Sequence, residues 1–62
     1  MCESNAYVEK NGKETMLLEN VGRLTVDGDD LVLEDILGDE VRITGTIKEI
    51  DFVAHKIVIR ES

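Results

Sequence analysis

The sequence predicts a small all-β barrel, and three observations carry that expectation. Short runs rich in Val, Ile, Leu and Thr recur along the chain, several with apolar–polar alternation. Turn signals separate them, among them Asn11-Gly12, Gly28-Asp29 and Gly38-Asp39. No stretch is long enough and suitably spaced to make a convincing helix, and proline is absent.

Taken in order, Ala6 to Lys10 reads as the first strand. Asn11-Gly12 is a tight hairpin turn, because both residues tolerate positive φ. Lys13 to Leu18 returns, with Met16 and either Leu18 or Leu17 facing inward. Glu19-Asn20 leads through Val21-Gly22 into Arg23 to Asp27, whose alternation places Leu24 and Val26 on the buried face. Past the acidic turn Gly28-Asp29-Asp30, Leu31-Val32-Leu33 has three apolar residues in succession, the pattern of a strand buried on both sides. A helical turn over Leu31 to Leu37 is the other reading, but Gly28 and Gly38 bound it too tightly.

After Gly38-Asp39, Val41 and Ile43 point inward. Gly45 then interrupts the alternation, as at a bulge or bend, before Thr46 to Phe52. Ala54-His55 forms the last turn and Lys56 to Arg60 the last strand. There Ile57 and Ile59 face one way and Val58 the other; an outward Val58 on an edge strand would offer a subunit contact. The sum is about six or seven short strands. A chain of 62 residues is too short for most sandwiches, so an Sm- or SH3-like barrel is expected, as one domain over residues 1–62.

A domain this small buries only about 60% of the surface its unfolded chain exposes. One cysteine allows no internal disulfide, and Cys2 with His55 cannot supply four nitrogen or sulfur ligands for structural zinc. Homodimerisation is the remaining source of extra burial. No apolar run spans a bilayer and no signal peptide opens the chain, so an unpaired cysteine points to a reducing cytoplasm. The net charge of −7 disfavours nucleic acid as a partner, as do the scattered Lys and Arg and the lone aromatics Tyr7 and Phe52.

The chemistry concentrates at Met1-Cys2. An amine, a backbone nitrogen and a thiolate there can close small chelate rings, and Ni²⁺ or Cu²⁺ favours such nitrogen–sulfur sites. If Met1 is retained, its amine joins the Cys2 amide nitrogen and thiolate; if it is removed, Cys2 offers its own amine and thiolate. Two tips related by a dimer axis would bring four donors to one ion. The plainer readings of Cys2 are a residue at a frayed terminus or a reactive thiol. His55 reads as a surface turn residue, with an extra metal ligand or proton carrier as its functional alternative. Asp27, Asp29, Asp30, Glu34 and Asp35 lack EF-hand spacing and read as a solvated acidic face. No Ser-His-Asp or Cys-His set and no glycine-rich phosphate loop is present, so an enzyme is not expected.

The whole chain resembles the CooT family of small nickel-binding proteins that accompany maturation of nickel-containing carbon monoxide dehydrogenase. The resemblance rests on Met1-Cys2, Tyr7-Val8, Asp27-Gly28 and Leu31-Val32-Leu33-Glu34-Asp35-Ile36. It continues in Thr44-Gly45-Thr46-Ile47, Ile50-Asp51 and His55-Lys56-Ile57-Val58. It implies a homodimeric barrel that binds Ni(II) through Cys2, with the neighbouring terminal nitrogens of Met1 and Cys2 as further donors. It also implies a role as nickel chaperone or accessory protein for the dehydrogenase. The alternative is an Sm-like RNA-binding or protein-interaction module without a metal, which rests on fold analogy alone.

Overall fold

A computed structural model describes residues 3–62. The described residues form five strands: β1 (Ser4–Lys10), β2 (Lys13–Asp27), β3 (Asp30–Asp35), β4 (Glu40–Asp51) and β5 (Lys56–Glu61). They close into a barrel in sequence order. Neighbours along the chain pair antiparallel, while the ring is sealed by a parallel pairing of β1 with β5, Ala6 opposite Ile57 and Val8 opposite Ile59. The all-β barrel expected from the sequence is the fold observed. The strands number five rather than about six or seven, because two runs that read as pairs of strands are continuous.

The first of these is β2, 15 residues long. Its first half pairs with β1 and its second half with β3, with register breaks on either side of Val21. Asn20 adopts a left-handed conformation at this corner, φ 55°, which asparagine tolerates better than most residues. The alternation fails at Glu19 to Gly22 because the strand turns a barrel corner there without ending.

The second is β4, 12 residues long. Up to Thr44 it pairs with β3, and from Gly45 onward with β5. The change of partner falls on Gly45, whose amide donates to the Asp29 carbonyl while Ser62 donates to the Thr44 carbonyl. A Cβ on Gly45 would overlap the carbonyl oxygen of Arg60. The glycine expected to mark a bend therefore allows a close backbone approach where the strand crosses between partners. The register break of β4 lies a little further on, between Ile47 and Glu49.

The core is made by Ala6, Val21, Leu31, Leu33, Ile57 and Ile59, with Leu17, Leu18, Leu24, Ile43 and Ile47 packed around it. Two inward assignments fail at the strand ends. Val26 shares the parity of Leu24 but is 64% exposed, because it lies next to the Gly28 turn, beyond the packed layer. Met16 is 43% exposed, and Leu17 and Leu18 do the packing in its place. Val58 is 1% exposed; β5 is hydrogen-bonded on both sides and is no edge, so Val58 is not a subunit contact. The hairpin signal holds in detail, with Asn11 at φ 55° and Gly12 at φ 77°.

Candidate metal centre

The expected ligands Met1 and Cys2 lie outside the described residues, and the geometry available is that of the strand they precede. Asn5, three positions after Cys2, is held on both faces. Its amide donates to the His55 carbonyl at 2.9 Å, and its Oδ1 accepts the Asn20 amide at 3.1 Å. Asn20 in turn accepts the Ile36 amide through its carbonyl at 3.0 Å. One line of hydrogen bonds thus ties the start of β1 to the corner of β2, the β3–β4 turn and the β4–β5 turn. Nothing in the residue pattern marks Asn5 for this role. The broken alternation at Asn20 was the legible half.

His55 occupies the turn assigned to it, with its side chain exposed and its backbone left-handed at φ 54°. Its carbonyl accepts the Asn5 amide at the start of β1. Among the described residues, no group of three or more His, Cys, Asp or Glu side chains is placed to hold a metal ion.

The acidic residues are spread among other tasks. Asp30 accepts from the Thr44 hydroxyl at 2.6 Å and, like Asp27, from the Arg42 guanidinium. The Thr44 bond, followed by the Arg42 bond, holds the Asp30 carboxyl below its ordinary value. Bonds to Asp30 and then Asp27 raise Arg42. Glu34 and Asp35 stand at the far end of β3, and Asp35 caps its own turn by accepting the amides of Leu37 and Asp39.

Most of the cations are taken up too. Lys48 and Arg60 pair with Glu9, Lys56 with Glu14, and Lys10 with Glu61. The Lys48 hydrogen bond lowers the Glu9 carboxyl, and that from Lys56 to Glu14 raises the Lys56 ammonium, which also sits 5.2 Å from the Tyr7 ring centre. These exposed pairs break the positive charge into isolated neutralised spots, the reverse of a phosphate-tracking surface. A shallow groove of about 300 Å³ lined by Val8, Lys10, Met16 and Ile43 opens at the Lys10 end of β1.

The fold and this arrangement define a small closed barrel that carries a thiol-bearing N-terminal segment on an anchored first strand. The chain belongs to the CooT family, described as CO dehydrogenase accessory proteins, whose model matches residues 1–60. A crystal structure of a protein described as a CooT from Carboxydothermus hydrogenoformans matches with a TM-score of 0.92 and 33% identity, over 98% of each chain. An uncharacterised protein of Archaeoglobus fulgidus is 40% identical over 42 residues, which is 68% of this chain and 93% of that one. The family resemblance read from Met1-Cys2 and the interior strands is therefore shown.

Proposed function

We propose that this protein carries Ni(II) as cargo, bound through the Cys2 thiolate and the terminal nitrogens of Met1 and Cys2, for maturation of nickel-dependent carbon monoxide dehydrogenase in the cytoplasm. The observation that carries the reading is the sole thiol of the chain, one residue from the terminal amine, in a family of CO dehydrogenase accessory proteins. It is supported by the anchoring of Asn5, whose amide and side chain both bind neighbouring elements at the start of β1. A soft thiolate and terminal nitrogen suit Ni²⁺, and both donors must lose their protons to bind. A homodimer meeting at one ion through two tips belongs to this reading.

The test is an anaerobic Ni²⁺ titration of untagged protein, read by absorption and native mass spectrometry. A thiolate-to-nickel charge-transfer band saturating at one ion per two chains is expected. Cys2→Ser should abolish it while the far-ultraviolet dichroism and Tm stay as they were. Unchanged nickel affinity in Cys2→Ser overturns the proposal.

A further inference from the structure

The parallel seal carries two rows of side chains out of the core at the same end of the barrel. Along β1, Ala6 is fully buried, Val8 half-buried and Lys10 exposed; along β5, Ile57 and Ile59 are buried and Glu61 is exposed. Every second residue of a strand keeps the same face, so each row leaves the core on a charge. Because β1 and β5 run parallel, with Val8 opposite Ile59 and Glu9 opposite Arg60, the two charges emerge side by side. The Lys10 ammonium stands 3.9 Å from the Glu61 carboxylate, and both side chains are exposed.

The same two residues line the groove of about 300 Å³, whose apolar members are Val8, Met16, Leu17 and Ile43. The groove opens over the end of the core, since Leu17 and Ile43 pack against the buried cluster. Barrel mouths are a recurring place for small ligands, and about 300 Å³ is the small end of such sites. Lys10 ends the strand that Ser4 begins, roughly 20 Å away. The groove therefore lies at the opposite end of β1 from Asn5 and its hydrogen bonds.

Charge decides what fits. The lip carries one charge of each sign, with Lys13 facing Lys10 across the hairpin and Arg60, beside Glu61, taken up by Glu9. A ligand with only a carboxylate would meet Lys10 but be repelled by Glu61, and one with only an ammonium the reverse. A protein chain end has the same defect, because it brings a single charge. An ammonium and a carboxylate on one carbon satisfy both sides. The exposed ion pair they displace is a weak one. An apolar side chain on that carbon would then cover Val8, Met16, Leu17 and Ile43 and remove apolar surface from water.

We propose that this groove binds a free apolar α-amino acid, with its carboxylate on Lys10, its ammonium on Glu61 and its side chain on the apolar wall. The site is independent of nickel.

The probe is leucine, titrated into metal-free, ¹⁵N-labelled protein. Glycine, 3-methylbutylamine and 4-methylpentanoate are its counterparts, lacking in turn the apolar side chain, the carboxylate and the ammonium. Saturable amide shifts confined to residues 8–10, 15–17, 43 and 61 are expected with leucine, and weaker binding with each counterpart. Lys10→Gln and Glu61→Gln replace exposed side chains, so the barrel should keep its fold while leucine binds up to about fivefold more weakly. Cys2→Ser should bind leucine as wild type. Shifts that never saturate, an amine or acid that binds as well as leucine, or affinity untouched in both glutamine variants overturn the proposal. So do shifts of the same residues that grow with protein concentration alone, since a second copy would then fill the groove.

Discussion

The amide of Asn5 donates to the carbonyl of His55 at 2.9 Å, joining the first strand to the last turn where the parallel pairing of β1 with β5 begins, at Asn5 and Lys56. His55 reaches this position with φ 54°, a conformation that costs a β-branched residue more than an asparagine or glycine. His55→Val should lower stability by roughly 1–2 kcal/mol, whereas His55→Asn or His55→Gly should stay within about 1 kcal/mol of wild type. Urea unfolding of the three variants checks this. Equal losses in all three would mean that the imidazole, not the backbone, matters at this turn.

Gly45 should accept no side chain. Its Cβ position is filled by the Arg60 carbonyl, a backbone atom that cannot swing aside. Gly45→Ala should cost about 1–3 kcal/mol or more, against a total of roughly 3–5 kcal/mol for a core of this size. A Tm fall of roughly 10 °C is the expected reading, at about 4–8 °C per kcal/mol.

Leu33 and Ile59 are both 0% exposed, so truncating either leaves a cavity. Leu33→Ala should cost roughly 2–5 kcal/mol and Ile59→Val about 0.5–1.5 kcal/mol. The first should leave a substantial unfolded fraction at room temperature by nuclear magnetic resonance, and the second a folded barrel with a lower Tm.

Acid should weaken the fold through Asp30 and Glu9. Both carboxyls are held below their ordinary values of 3.8 and 4.5 by the Thr44 and Lys48 bonds. Their contribution is complete above those values and fades as pH falls through the lower folded ones. Lys56 acts in the opposite sense. Its value is raised above 10.5 by Glu14, so its contribution is complete below 10.5 and lost as pH rises through the raised value. Tm measured against pH should show a plateau between these limits. Asp30→Asn should flatten its acid side if Asp30 contributes as described.

Nickel affinity should rise with pH through the range where the amine and thiol lose protons, ordinarily about 7.7–8.5. Below that range, each proton displaced gives about tenfold in affinity per pH unit. An affinity flat between pH 6 and 8 would place the ion on other donors.

Turns and the core alternation were legible in the sequence because they are local. Asn11-Gly12 needs two positive φ angles and has the two residues that supply them most cheaply. Leu31 and Leu33, in the middle of their strand, are buried as their pattern says. Strand count was not legible, because Asn20 and Gly45 look like breaks when only the chain is seen. Whether such a residue ends a strand or passes it between partners depends on distant residues, Val21 against Ser4 and Asp35, and Gly45 against Glu61. Val26 was misplaced for a related reason: parity gives a face, but not how far along the strand the core extends. Cys2 was visible as the sole thiol, while the anchoring of Asn5 arises only when the first strand meets the last turn.

The seal between β1 and β5 also dictates when this protein can become itself. The pairing joins Asn5 to Lys56 and Glu9 to Arg60, contacts that span most of the chain. Folds dominated by such distant pairings assemble slowly, since a long loop must close before any contact repays it. Until Lys56–Glu61 has emerged from the ribosome, β1 and β4 each lack a neighbour and present bare edges. The ring therefore cannot shut before β5 has been made, and chaperones would meet the open form rather than the finished barrel.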